Sequence, residues 1–265
     1  MIKFPDYILR PGFILYHVLA KILPQFVWKM WQRSNQNNVK PIFILSLDCD
    51  TELDISVVEF VHSKLKNIGI SPIYAVPGEL LIKGLAVYKK IFESGAEFIN
   101  HGFLQHSAVN VNNREYTGTL FYEKMPVAEI QNDIERGHYT LSKVFGIEPR
   151  TFRTPHFGGF QRAFQLKFLW ATISRLGYKF SSSTIPYFSL KHKMPFKHNN
   201  ILEIPVALDP FRPWQILDTW SYGFNKKNRL SKSDFIAAID KYSKLMQSGE
   251  FLILNIYADP SQVYD

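Results

Sequence analysis

The sequence predicts an α/β fold built on a mostly parallel sheet. Short apolar runs of strand length alternate with stretches of helical spacing along most of the chain. Glycine and proline punctuate the boundaries between them. The 265 residues, 46% of them hydrophobic and 15% aromatic, suffice for a large buried core. In order, residues 41–47 form a continuous apolar run, as expected of a strand buried on both faces. Residues 55–68 follow with helical spacing, and Val58, Val61, Leu65 and Ile68 fall on one side. Residues 72–76 read as a second strand, 79–94 as a helix stopped by Gly95, and 96–100 as a third strand. A polar loop runs to about Lys124, and Pro126 opens a long helix ending near Gly146. Residues 150–153 read as a strand, 159–176 as a helix stopped by Gly177, and 178–182 and 201–206 as further strands. Ser231 caps a last helix over 232–247, and 250–256 form the final strand. This alternation fits either an open doubly wound sheet or a closed barrel. No internal repeat is visible, and neither GxGxxG after a strand nor GxxxxGK[ST] occurs.

The first forty residues stand apart from a domain over 41–265. They carry six Lys/Arg against one Asp. Their longest stretch free of charged residues, 11–20, is about half a membrane span. No compact apolar run leads into a small-residue cleavage site, so export by a secretory signal is not expected and the location reads as cytoplasmic. Lys21, Lys29 and Arg33 mixed with Phe26, Trp28 and Trp31 suit a helix lying in an anionic membrane interface, on the inner face of the membrane. They also suit a helix packed on the domain or on a partner subunit, the reading placed ahead of the membrane interface. Residues 34–38 read as a polar linker. The net charge of +8 comes from this arm and from 179–232, where nine Lys/Arg face three acids, whereas 41–178 is balanced. Clustered charge points to an anionic partner or a solvated basic face. No nucleic-acid recognition motif accompanies it. The single cysteine, Cys49, excludes an intramolecular disulfide and a cysteine-rich zinc site.

In both architectures the working face lies at the carboxyl ends of the strands. The first strand ends in Asp48-Cys49-Asp50-Thr51-Glu52 and the third in Asn100-His101, with His106 close behind. The strand over 150–153 ends in Arg153-Thr154-Pro155-His156, and the last in Asn255-Ile256-Tyr257-Ala258-Asp259. Carboxylates and imidazoles converging on one rim suit a divalent metal, zinc first, with iron, cobalt or nickel as alternatives. Taken singly, Asp50 or Asp54 would be a helix cap and Arg153 a carboxylate partner. His62, His138, His192 and His198 read as solvated. Tyr187, Phe188, Phe196, Phe211, Trp214, Trp220 and Tyr222 lie in loop-like sequence. Most read as core, with Trp214 and Trp220 as the expected contacts to a sugar ring.

SLDCDTE at 46–52, NHGFLQHS at 100–107, FRTPHFG at 152–158 and ILEIP at 201–205, in this order, resemble the motifs of the polysaccharide deacetylases, carbohydrate esterase family four. The resemblance spans about residues 41–260. It implies a deformed (β/α)7 barrel and a metal-dependent hydrolase that removes acetyl groups from N-acetylated sugars of a polysaccharide or lipid-linked glycan. By the same resemblance Asp48 is the catalytic base, Asp50, His101 and His106 hold the metal, and Arg153 orients the base. His156 lends a backbone N–H to the oxyanion. His101 and His106 stand five apart, so both can face one ion only from a loop or a π-bulge; otherwise Gln105 takes the ligand position. The family's last-strand histidine, its general acid, is Asn255 here. Asp259 is the first substitute for it, ahead of Tyr257 and His156, and Asp218 matches the acid's partner loosely. A sugar-binding homologue without activity, or a hydrolase of another non-peptide amide, is the alternative.

Overall fold

The computed structural model describes residues 11–35, 40–225, 230–249 and 253–264. Two helices, α1 (Pro11–Ile22) and α2 (Pro24–Asn35), precede β1 (Ile42–Asp48). Then come α3 (Glu52–Asn67), β2 (Ile73–Val76), α4 (Gly78–Lys83), α5 (Leu85–Glu93) and β3 (Glu97–Asn100). The short strands β4 (Ser107–Asn110) and β5 (Glu115–Gly118) lead to α6 (Val127–Phe145), β6 (Thr151–Phe152) and α7 (Ala163–Arg175). The chain continues through β7 (Phe180–Ser181), α8 (Tyr187–His192), β8 (Phe196–His198) and β9 (Ile201–Glu203). It ends with α9 (Lys232–Gln247), β10 (Ile253–Ala258) and the short α10 (Pro260–Val263). Parts of the expected arm, linker and last strand (residues 1–10, 36–38 and 250–252) lie outside the described residues.

Seven strands run parallel in the order β10-β1-β2-β3-β6-β7-β9, and β8 lies antiparallel on β9. Helices surround the sheet, which curls into the deformed β/α barrel expected from the sequence. Its two edges are joined by hydrogen bonds rather than a ladder. The Ala207 N–H donates to the Asn255 carbonyl at 2.8 Å. The buried Asn255 Nδ2 donates to the carbonyl of Ile204 at 2.9 Å and to Ser182 Oγ at 3.0 Å. Asn255 therefore staples the barrel shut, which is a structural occupation for the residue at the position of the expected acid.

Three local differences from expectation have physical causes. The stretch read as a polar loop contains the β4–β5 hairpin, paired from Ser107↔Gly118 to Asn110↔Glu115. Its two-stranded ribbon is half exposed and rich in polar residues, so it lacks an apolar alternation. The helix over 79–94 is broken at Gly84, where a Cβ would lie 2.9 Å from Ile55 on α3. His62 and His138 are buried rather than solvated: His62 meets Tyr74 Oη at 2.7 Å and His138 meets Tyr178 Oη at 3.2 Å.

The arm packs on the barrel. Phe13, Tyr16, Ala20 and Val27 join the core around Trp170, Ile185 and Phe188. Trp28 and Trp31 stack at 5.6 Å and meet Tyr242 edge-on, beside Leu254 and Ile256. The opposite side of the arm exposes Ile14, Leu15, Val18, Ile22, Leu23, Phe26 and Met30. Among the described residues, no helix is long and apolar enough to cross a membrane.

Candidate metal centre

The carboxyl ends of the strands bring together residues far apart in sequence. Asp48 is the last residue of β1, and Asp50 lies two beyond it. His101 follows β3, Arg153 follows β6 and Asp259 follows β10. The capping ambiguity after β1 resolves cleanly. Thr51 is the N-cap of α3, and Asp54 closes a reciprocal capping box by accepting from the Thr51 backbone N–H at 2.9 Å. Asp50 is thereby left free to face the cleft.

Asp50 Oδ1 lies 3.4 Å from His101 Nε2 and 2.9 Å from His106 Nε2. One ligand atom from each of the three residues falls within 4.8 Å of the others. His101 Nδ1 donates to the Arg153 carbonyl at 2.9 Å, which turns its Nε2 into the centre. Burial would lower the imidazole, but Asp50 and Asp48 outweigh it and hold it above its ordinary value. The two imidazoles stand edge to face, 4.6 Å apart. Asp50 Oδ1 and His106 Nε2 are buried, and among the described residues neither has a hydrogen-bond partner. Their 2.9 Å approach is an ion pair when His106 is protonated, and a cation bound between them would take the place of that proton. Two imidazoles and one carboxylate fit a divalent cation such as zinc, with coordination positions to spare. Burial alone would raise the Asp50 carboxyl, but His106 and His101 outweigh it and hold Asp50 well below the usual carboxylate range.

The five-residue spacing works because the segment from His101 to His106 is a loop, not a helix. Its shape is imposed from outside. Asp133 on α6 accepts from the backbone N–H of Leu104 at 2.8 Å and of Phe103 at 3.2 Å, and Tyr122 Oη donates to it at 2.6 Å. Glu79 accepts from the Gln105 N–H at 2.7 Å. The Gln105 side chain donates to the Ser107 carbonyl and stays out of the centre. Gly137 lets α6 approach so closely that a Cβ there would lie 2.6 Å from the Gly102 carbonyl oxygen. Sequence reading missed Asp133. Its signal is an acid inside the apolar stripe of α6, between Ile130 and Ile134.

Asp48 sits beside this triad, its Oδ2 3.8 Å from His101 Nε2. Arg153 Nη1 donates to Asp48 Oδ1 at 2.5 Å and to Ser46 Oγ at 2.6 Å, and Nη2 donates to Ser182 Oγ at 3.0 Å. Burial pushes the Asp48 carboxyl above its ordinary value, against the opposing pull of Arg153 and His101. Asp48, Asp50, His101, His156, Asp218 and Asp259 line one cavity of about 280 Å³, with Trp220, 42% exposed, on its rim.

The candidate proton donors differ in their surroundings. Asp259 is buried, and burial together with Asp50, Asp54, Asp48 and Asp218 raises its carboxyl well above the ordinary value. The Tyr257 hydroxyl donates to Asp218 Oδ2 at 2.6 Å, and burial pushes Asp218 up to about 6. The His156 imidazole is committed elsewhere: its Nε2–H donates to the His106 carbonyl at 2.9 Å, and burial and His106 push it down to about 4. Its ring stacks on Phe121 at 4.7 Å, so it buttresses the His106 backbone instead of offering a proton. The His156 backbone has φ 56°, a strained value for a non-glycine residue that fixes the direction of the neighbouring amides. Of the late aromatics, Phe188 and Tyr222 are core, on α8 and a π-helical turn (Trp220–Phe224) respectively.

No protein-family model matches the sequence, and no curated protein sequence matches it. Solved structures do match in three dimensions. A protein solved as a polysaccharide deacetylase from Mycobacterium smegmatis superposes with a TM-score of 0.56 at 15% identity, covering 85% of this chain and 82% of that one. One from Pseudomonas aeruginosa PAO1 superposes with a TM-score of 0.55 at 11% identity, covering 82% and 76%. The PuuE allantoinase superposes with a TM-score of 0.54 at 13% identity, also covering 82% and 76%. The fold is thus that of the polysaccharide deacetylases, which an allantoinase shares.

Proposed function

We propose that the chain is a metal-dependent hydrolase removing acetyl groups from N-acetylated sugars of a polysaccharide or lipid-linked glycan. The observation that carries this reading is the convergence of Asp50 Oδ1, His101 Nε2 and His106 Nε2, drawn from distant parts of the chain, beside the buried Asp48–Arg153 pair. Asp50, His101 and His106 would hold the ion. When bound, a divalent cation, zinc by preference, polarises the amide carbonyl and lowers the pKa of a water ligand to about 7. The remaining work falls to the chain. Asp48 takes the proton of the attacking water, and Arg153 keeps its carboxylate aimed at the cleft. The His156 backbone N–H supports the developing oxyanion. Asp259, whose carboxyl burial and its carboxylate neighbours raise well above the ordinary value, delivers a proton to the leaving nitrogen, and Trp220 offers its exposed face to the sugar. Residues 1–40 form the arm and 41–265 the catalytic domain.

The test is acetate release from N-acetylated oligosaccharides. Release that a chelator abolishes and zinc restores is expected. No acetate with any divalent metal overturns the reading. Asn255 at the expected acid position favours one second reading, a sugar-binding homologue without turnover, for which binding persists in an Asp48→Asn variant and acetate never appears.

The setting we propose is the cytoplasmic face of an anionic membrane. The outward side of α1 and α2 carries seven exposed large apolar side chains with Lys21, Lys29 and Arg33, and residues 11–35 contain no acid. Purified protein is expected to co-sediment with phosphatidylserine vesicles and much less with phosphatidylcholine vesicles, and Phe26→Glu with Met30→Glu is expected to abolish sedimentation. Equal recovery with both lipids, or no effect of the double variant, contradicts this.

A further inference from the structure

The two histidines of the candidate centre are aimed by different means. The His101 ring is fixed through its own second nitrogen, which donates to the Arg153 carbonyl. His106 Nδ1 is buried and has no hydrogen-bond partner among the described residues. The His106 ring is instead met edge-on by His101 and His156, with centroids 4.6 Å and 5.1 Å away. Its direction therefore follows from its backbone, and residues 101–106 form neither helix nor strand. Whatever shapes that loop decides whether the third ligand reaches the ion.

α6 supplies the template, along its buried stripe of Asp133, Ile134 and Gly137. Asp133 Oδ1 accepts from the amides of Phe103 and Leu104, and Oδ2 accepts from Tyr122 Oη. With both oxygens engaged, Asp133 is a brace for the loop and not a fourth ligand. The Ile134 carbonyl accepts from Asn100 Nδ2 at 3.0 Å, and Asn100 Oδ1 accepts from the Gly102 N–H at 3.0 Å. Gly102 has φ 80°, and a Cβ there would lie 2.3 Å from Asp133 Oδ2. The loop is thus seated against Asp133 at its glycine and bonded to it at the two residues that follow. Three donors converge on the two oxygens. A carboxylate presents acceptor lone pairs at both ends and makes charge-assisted bonds, whereas an amide presents one oxygen. A carboxylate with 1% exposure is costly without such donors, and the loop amides supply two of the three.

We propose that Asp133 is the positioning residue of the centre: by holding the Phe103 and Leu104 amides it keeps His106 turned toward Asp50 and His101, and so sets the affinity for the ion. The proposal rests on the metal-centre reading above and adds to it a residue outside the ligand set.

The test is zinc affinity, measured by competition with a chromogenic chelator, together with thermal unfolding of the metal-free protein. Asp133→Ala is expected to bind zinc about 10- to 100-fold more weakly than wild type. Asp133→Asn keeps an oxygen for the two amides without the charge, and is expected to lose about 3- to 10-fold. Leu141→Ala is the control. Its side chain is buried on the same helix, two turns beyond Asp133, in a core with Phe98 and Phe145. It is expected to unfold at lower temperature while keeping wild-type zinc affinity. Wild-type affinity in folded Asp133→Ala overturns the proposal, and in Asp133→Asn it does so where the alanine variant fails to fold. An equal loss in Leu141→Ala overturns it too, because the effect would then be one of global stability. Wild type without affinity for zinc overturns the metal-centre reading and this proposal together, whereas tight wild-type binding unchanged by both Asp133 variants overturns this proposal alone.

Discussion

An Asp48→Asn variant is expected to turn over N-acetylated substrate about 10²–10⁴-fold more slowly than wild type while keeping its metal. The amide has nearly the shape of the carboxylate, and its oxygen can still accept from Arg153 Nη1, so the bond that now spans 2.5 Å has a replacement. What the amide lacks is basicity. Asp50, His101 and His106 are untouched, so the ion and its polarising effect remain and the loss falls on kcat. Initial rates of acetate release together with elemental analysis of the same sample separate the effects. A wild-type rate in a metal-loaded variant would move the base to another residue. A variant that loses its ion would make Asp48 a ligand.

Arg153→Met carries the largest expected loss of stability, about 3–5 kcal/mol in metal-free protein. Methionine fills much of the space but leaves the buried Asp48 carboxylate without its cation and Ser46 Oγ without its donor, while Ser182 Oγ keeps only the donor from Asn255. The pH dependence has a defined sign. Burial already holds the folded Asp48 carboxyl above its ordinary value, and removing Arg153 raises it further. Above the unfolded value the folded state then binds a proton that the unfolded state does not, so the deficit shrinks as pH falls and grows as pH rises. Urea midpoints of wild type and variant in the presence of chelator, compared at acidic and alkaline pH, measure both. Equal midpoints at alkaline pH would show that the pair contributes nothing to folding.

The parallel barrel was legible because its strands are buried on both faces and therefore read as short apolar runs between helical stretches. Asp48, Asp50, His101 and Arg153 were legible for a related reason: strand ends mark the working face, and polar residues directly after an apolar run stand out. The β4–β5 hairpin was not legible, since two half-exposed strands carry no apolar period. The ligand geometry of His106 was also hidden. It depends on a loop shaped by Asp133 and Glu79, which lie about thirty positions away on either side and touch it only after folding. His62 and His138 defeated a composition rule, because a hydroxyl partner makes a buried imidazole acceptable. Asn255 shows the same limit from the other side. Its substitution for an acid was visible in the sequence, but its bonds across the barrel seam were not.

The central claim is that Asp50, His101 and His106 share one ion, and elemental analysis after zinc loading and desalting tests it directly. Wild type is expected to retain one equivalent of zinc, and Asp50→Ala and His106→Ala, each confirmed folded by thermal unfolding, are expected to retain almost none. Folded wild type that emerges without metal, or a folded His106→Ala variant that keeps a full equivalent, would contradict the account.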